Sequence, residues 1–301
     1  MCNCDIRFDF SFAEDALSAL QTRTLDSALP RLARLGAVDH LRRHTDRFSA
    51  DEVPEGLVLA AGLLRPLAEQ PDLLPGIRRT VGAAHECTRR SEQWKRELLR
   101  LLPEGHRFRR ATLHFTLGYD LGVVSNGQSA SVNLAHPHLL QNPRHVKYFI
   151  IHELHHVGFL MYRDLQPIRD IRSRDELRHL VEGLTQLEGL GTYAPWRLRE
   201  KDGALTAHRD YVALLDPELM ENLEVQFWRL YRSLDHLPDE MNSDAVMHQL
   251  ASFGDPQKLF HLVGCRFARR IHRLFGLRKL RTTILDGPAA FLRLARMGAS
   301  P

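Results

Sequence analysis

The first hundred residues carry apolar positions at helical spacing, broken at short intervals by proline. Ala16, Leu17 and Leu20 follow Ser11-Phe12-Ala13-Glu14, a capping-box pattern, and Ser49-Ala50-Asp51-Glu52 repeats it. Pro30, Pro54, Pro66, Pro71 and Pro75 divide the region into short helices. A longer helix is expected over 85–102, stopped by Pro103-Glu104-Gly105, with Trp94 packed inward. After Gly105 the period changes to two: Ala111, Leu113, Phe115 and Leu117 alternate with Thr112, His114 and Thr116, as in a half-buried strand. A second strand is expected over 121–125 and a third over 128–134, joined by the hairpin signal Asn126-Gly127. Helical spacing resumes after Pro143, with Phe149, Ile150, Leu154, Val157 and Met161 on one side of a helix over 144–163. Ser173-Arg174-Asp175-Glu176 is a third capping box and opens a helix to Tyr193, closed by Pro195; 216–297 is again helical. The pattern predicts an α+β fold, mostly helical. An N-terminal helical region (1–104) precedes a region (105–301) with a small antiparallel sheet over 107–135, two helices within 144–194 and a helical C-terminal lobe over 204–301.

Composition narrows the class. With 44% hydrophobic and 26% charged residues, the 301-residue chain is suited to a folded core and unsuited to disorder. A net charge of +4 over this length is too weak to predict a nucleic-acid partner. Met1-Cys2-Asn3-Cys4-Asp5-Ile6-Arg7 has no apolar signal segment, and Gly56 to Leu64, the longest apolar stretch, is too short to span a membrane. Four cysteines imply no disulfide framework. A cytoplasmic protein without a membrane partner is therefore expected. Cys2 and Cys4 supply only half of a structural metal site. Histidine, at 17 copies, is the unusual count, and its placement is the informative question.

His152-Glu153-Leu154-His155-His156 fits H-E-x-x-H inside the expected helix over 144–163. Residues four apart share a helix face, so His152 and His156 can bind one Zn2+. Glu153 is then placed to act as general base on a zinc-bound water and to pass the proton to the leaving amine. His155 lies about 100° further round and is read as a packing or supporting residue. Such a site takes a third protein ligand. The next helix offers Glu182 and Glu188, about 240° apart, so only one can face the metal. A residue count along two antiparallel helices slightly favours Glu182.

Glu188-Gly189-Leu190-Gly191-Thr192-Tyr193 resembles the E-G-L-A/G-x-Y signature of gluzincin-type metallopeptidases, in which the glutamate is the third ligand. Val146-Lys147-Tyr148-Phe149-Ile150-Ile151 resembles the lead-in to their zinc helix. Together the motifs resemble uncharacterised bacterial families of zinc-dependent peptidases that carry HExxH followed by EGLA or EGLG. Phe260-His261-Leu262-Val263-Gly264, Gly276-Leu277 and Gly287-Pro288-Ala289-Ala290-Phe291 resemble their C-terminal helical part. The resemblance covers roughly 110–295. It implies a zincin-like catalytic core, Zn2+ as cofactor, a peptide or protein substrate, Glu188 in preference to Glu182 as third ligand, and His261 as a candidate catalytic residue. The interval from His156 to Glu188 is longer than in thermolysin-like enzymes.

Stabilising a developing oxyanion needs a hydrogen-bond donor, and Tyr193, His208, Tyr211 and His261 are candidates. The segment from Ser129 to Leu134 is a candidate for holding an extended peptide by strand addition. Arg266, Arg269, Arg270, Arg273, Arg278, Lys279 and Arg281 form the most basic stretch, read as one solvated helix face. Two other functions fit parts of the pattern. A di-iron carboxylate protein is suggested by Glu153-x-x-His156 and Glu176-x-x-His179, but it leaves His152 unused. A zincin-like scaffold that binds a peptide or partner without turnover leaves Glu153 without a purpose. Leu219-Met220-Glu221-Asn222 lies after the zinc motif and is no exopeptidase signature.

Overall fold

The computed structural model of the protein describes residues 5–50, 52–254 and 256–297. Cys2 and Cys4 lie outside the described residues. The chain divides into two compact units, one built from residues up to 96 with 107–157, the other from 97–106 with 158 onwards.

The first unit holds strands β1 (Ile6–Asp9), β2 (Ala111–Thr116), β3 (Gly122–Asn126) and β4 (Ser129–Asn133). Around them stand helices α1 (Ser11–Thr22), α2 (Leu25–Leu32), α3 (Gly36–Phe48), α4 (Gly56–Ala68) and α5 (Leu74–Arg89). Helices α6 (Glu92–Arg100) and α8 (Val146–Leu160) contribute part of their length, and α7 (Pro137–Gln141) is a short helix between β4 and α8. The expected hairpin at Asn126-Gly127 is present, and β3 and β4 pair antiparallel. The sheet as a whole is mixed rather than antiparallel. Its order is β1-β2-β4-β3, with β1/β2 and β2/β4 parallel.

The physical reason lies in the loop after β2. Gly118 and Tyr119 both take positive φ. The Asn133 side chain accepts from the Gly118 amide and donates to the Tyr119 carbonyl, at 2.9 and 2.8 Å. This anchors the loop across the end of β4, so β3 falls beyond β4 and β4 slots in beside β2. All five β4 residues are buried and both its edges are paired, so the segment from Ser129 to Leu134 has no free edge for an added strand. Buried His40 of α3 ties the hairpin to the helix layer, its Nδ1 within 3.1 Å of Ser125 Oγ and 3.0 Å of Ser129 Oγ.

The second unit is helical. It contains α9 (Arg174–Tyr193), α10 (Trp196–Lys201), α11 (Arg209–Leu214), α12 (Pro217–Ser233), α13 (Ser243–Phe253), α14 (Leu259–Asp286) and α15 (Pro288–Met297). Its core is aromatic around Phe227, whose ring meets Phe253, Phe267 and Tyr231. Helix α9 starts where its sequence predicts. Ser173 Oγ accepts from the Glu176 amide, and the Glu176 carboxylate accepts from Ser173 N.

The other two capping signals are not realised. Asp9, not Ser11, supplies the side-chain acceptor ahead of α1, and α4 starts only at Gly56, past Pro54. The helix expected over 85–102 is broken between α5 and α6, with Trp94 buried and its indole N–H bonded to Cys87 O at 3.1 Å. The architecture is a mostly helical α+β fold.

Candidate metal centre

Helix α8 supplies the H-E-x-x-H residues. It is apolar nearly all the way round, with Tyr148, Ile150, Ile151, Leu154 and Val157 all buried, so it runs as an internal helix. Its polar residues are therefore held in a low-dielectric setting. His156 and Glu153 are buried, and His152 is largely so. The rings of His152 and His156 lie 4.4 Å apart at 81° to one another. His152 Nε2 stands 3.9 Å from Glu153 Oε1, and one ligand atom from each of His152, Glu153 and His156 falls within 4.8 Å of the others. Neutral imidazoles and carboxylates are the donor types that zinc takes, so this face of α8 fits such an ion. His155 is fully buried on the same helix.

Sequence reasoning did not single out Gly122, the first residue of β3. A Cβ built there would lie 2.6 Å from Glu153 Cδ and 2.8 Å from Cγ. The Glu153 carboxylate therefore rests directly on the strand's backbone, and only glycine leaves it room. The only signal in the sequence was a glycine at the start of an expected strand, which also marks ordinary turns.

In the second unit the two candidate glutamates have different neighbours. Glu182 accepts a hydrogen bond from the Tyr231 hydroxyl. Burial, then this bond, push the Tyr231 hydroxyl up to about 12. The Arg178 guanidinium lies 4.9 Å over the Tyr231 ring and pairs with Asp235. Glu182 thus belongs to a side-chain cluster between α9 and α12. Glu188 instead meets His261 of α14, with Oε2 3.0 Å from Nε2. Burial disfavours the charged imidazole, but the Glu188 charge and hydrogen bond outweigh it and hold the His261 pKa above its ordinary value.

The two helices can approach this closely because Gly189 faces Gly264. A Cβ on Gly189 would lie 2.5 Å from Gly264 Cα, and a Cβ on Gly264 would lie 2.8 Å from Gly189 Cα and meet Thr185 O. The small residue after Glu188 is therefore part of a backbone-to-backbone crossing.

The remaining sequence candidates separate cleanly. The Tyr211 hydroxyl donates to Thr192 O at 2.6 Å beneath the Arg199 guanidinium, and burial drives its pKa upward. The Tyr193 hydroxyl is 2.7 Å from His272 Nδ1. His208 Nδ1 accepts from Asp210 N at 3.3 Å, and Asp210 pairs with Lys258 at 3.0 Å. Glu176 caps α9, and His179 Nδ1 lies 2.8 Å from Asp175 O on the exposed side, so the second E-x-x-H is a helix-start feature. The basic stretch is only partly solvated: Arg266 and Arg270 both bind buried Glu224 at 2.7 Å, and Arg269 lies 3.9 Å over the Trp196 ring. Among the described residues no helix is long and apolar enough to cross a membrane.

No curated protein and no solved structure matches the chain. A family match does, and it runs over residues 89–294. That span takes in β2, β3 and β4 as well as the whole of α8, α9 and α14, so Gly122, the H-E-x-x-H residues, Glu188 and His261 all fall inside it. The chain belongs to the family described as "Putative zinc dependent peptidase (DUF5700)".

Proposed function

We propose that this protein is a zinc-dependent peptidase of the gluzincin kind, with residues 105–301 as its catalytic region and a peptide or protein as substrate. His152, His156 and Glu188 are the metal ligands, Glu153 is the general base, and His261 is the catalytic group that faces the developing oxyanion. The observation that carries the reading is the α8 face. Two imidazoles one turn apart flank a carboxylate on a buried helix, in a chain whose family is described as zinc dependent.

When bound, zinc supplies Lewis acidity that lowers the pKa of a coordinated water towards about 7. Glu153 removes the proton of the attacking water and returns it to the departing amine. Its contact with the Gly122 backbone fixes the carboxylate's direction, which is the condition for efficient proton transfer. His261, whose Nε2 stands 3.0 Å from Glu188, donates to the carbonyl oxygen as charge develops on it. Glu188 is preferred to Glu182 because the Glu182 carboxylate is engaged by Tyr231 within its own helix cluster. Strand β3 lies at the edge of the sheet, so an extended substrate pairs there rather than on internal β4. A cytoplasmic setting fits two free cysteines, Cys87 and Cys265.

The test joins metal analysis with hydrolysis of an unbiased peptide library. The protein as isolated should contain one zinc per chain and cleave peptides. Glu153→Gln should keep the zinc and lose at least about a thousandfold in rate, since general base and water orientation go together. His152→Ala and His156→Ala should lose both metal and activity. Turnover that survives chelation and Glu153→Gln overturns the peptidase reading. A zinc-loaded protein inert against the library overturns it in favour of a non-enzymatic peptide-binding scaffold.

A further inference from the structure

Residues 259–285 contain no acidic residue and seven basic ones, Arg266, Arg269, Arg270, Arg273, Arg278, Lys279 and Arg281. Five of these have partners within the second unit. Arg266 and Arg270 bind Glu224, Arg269 lies on Trp196, Lys279 pairs with Asp286 at 2.9 Å, and Arg281 Nε donates to Arg100 O at 2.5 Å. The two left over, Arg273 and Arg278, make no ion pair among the described residues. They flank Leu274-Phe275-Gly276-Leu277 on either side.

Gly276 breaks α14 into two helical arms. Its φ of 80° and ψ of 166° lie in a region that side-chain-bearing residues rarely adopt. The arms regain the core at Ile271 and Leu280, both fully buried. Everything from 273 to 276 is exposed, including Leu274 at 48% and Phe275 at 39%. The molecule thus presents a corner with two large apolar side chains at its tip and an arginine on each flank.

We propose that this corner is a contact site for an anionic lipid surface. Two exposed apolar side chains at a chain corner cost solvation in water and gain it at the boundary between headgroups and acyl chains, where the polar flanks stay wet. Such a surface deforms around a protruding corner, so no pre-formed cavity is needed to receive it. The charge is complementary to anionic headgroups. Each arginine raises the partition onto such a surface roughly fivefold, and the pair roughly thirtyfold. With no membrane-crossing helix among the described residues, the contact is peripheral and reversible. It concerns where the protein works and is independent of the peptidase reading.

The test is co-sedimentation of the full-length protein with two kinds of vesicle, phosphatidylcholine alone and phosphatidylcholine mixed equally with phosphatidylglycerol. The protein should partition onto the mixed vesicles at least about tenfold better, and added salt should weaken binding. The double variant Arg273→Gln/Arg278→Gln should lose roughly thirtyfold on mixed vesicles. Leu274→Ser/Phe275→Ser should reduce binding to a weak, wholly salt-sensitive remnant. The four positions are exposed, so unchanged circular dichroism is expected in both variants. Equal binding to the two vesicles, no binding to either, or variants that bind like the parent protein overturn the proposal. Equivalent binding to polyglutamate, with loss in both variants, overturns it in favour of an acidic protein partner. A dimer in sedimentation velocity that Leu274→Ser/Phe275→Ser dissociates overturns it in favour of a second copy of the chain.

Discussion

Gly264→Ala puts one methyl group into the crossing of α9 and α14, and its effect can be worked out from the backbone. The new Cβ would lie 2.8 Å from Gly189 Cα and would also meet Thr185 O, whereas ordinary van der Waals contact begins near 3.4 Å. Both obstacles are backbone atoms of α9, so no side chain can swing aside. The helices must part by roughly 1 Å, and overpacking of this kind costs about 1–3 kcal/mol, here at the upper end because nothing flexible yields. At about 2–4 °C per kcal/mol for a unit of this size, Tm should fall by about 6–12 °C. Parting the helices also lengthens the 3.0 Å contact between Glu188 and His261, so zinc retention should fall together with stability. Gly189→Ala should behave alike, since its Cβ would lie 2.5 Å from Gly264 Cα.

Two internal controls separate this from a general cost of replacing glycine. Gly62 in α4 and Gly82 in α5 have nothing within 4 Å of an added Cβ. In a helix interior, alanine there should stabilise by about 0.5–1 kcal/mol. Differential scanning calorimetry on the four single variants gives the comparison. If Gly264→Ala melts within about 1 °C of the parent, or if Gly62→Ala falls as far, the close-crossing argument fails.

The other predictions act on different parts of the chain. Gly122→Ala should push the Glu153 carboxylate off the β3 backbone, cutting kcat at least about tenfold through loss of orientation while zinc content and Tm change little; unchanged kcat would refute the positioning. Acid should destabilise the fold through its buried histidines. Burial holds His106 at about 4, and burial followed by the charges of His114, His44 and Arg43 holds His40 well below its usual range. Both folded values lie below the unfolded value near 6.5, so this stability is fully present above that pH and is lost as pH falls towards the folded values. For His106 the gap between about 4 and 6.5 is worth about 3 kcal/mol at most, and His106→Asn should flatten the fall in Tm between pH 6.5 and 4 by that share.

Much of this molecule is visible in its sequence because the relevant signals are local. The apolar positions around His152 and His156 place both on one buried helix, and the reciprocal bonds of Ser173 and Glu176 start α9 where the four-residue pattern says. The Asn126-Gly127 hairpin is equally local. What the sequence hides is decided by distant partners. Strand β1 is four residues long with no fully buried position, and it exists because Ile6 to Asp9 can pair with Ala111 to His114 more than a hundred residues on. The parallel pairing of β2 with β4 depends on the Asn133 side chain gripping the loop at Gly118 and Tyr119. Counting residues along two helices cannot choose between Glu182 and Glu188 for the same reason: their surroundings differ through Tyr231 on α12 and His261 on α14, which the count does not contain.

Three glutamates of the second unit lead to the last prediction, because what holds each carboxylate determines what its loss should do. Buried Glu224 is gripped by Arg266 and Arg270 at 2.7 Å; burial alone would raise its pKa, and the two guanidiniums hold it below the ordinary value. These partners keep their charge at any accessible pH, so the cluster is a fixed cross-link between α12 and α14. Glu224→Gln leaves two arginines half-buried without their counter-ion and should cost about 3–5 kcal/mol while zinc content is unchanged. Glu182→Gln loses the charge that receives the Tyr231 hydroxyl, and at about 1.5–3 kcal/mol for a hydrogen bond to a charged group it should destabilise moderately, again with zinc retained. Glu188 is different. Its carboxylate meets His261 at 3.0 Å, and it sits beside a crossing made of glycines. As the proposed third ligand, Glu188 is the one whose change to Gln should abolish zinc retention, and the thermal shift on adding zinc should vanish with it. Metal analysis and melting curves with and without zinc on the three variants decide the matter: if Glu182→Gln loses the metal and Glu188→Gln keeps it, the ligand assignment is reversed.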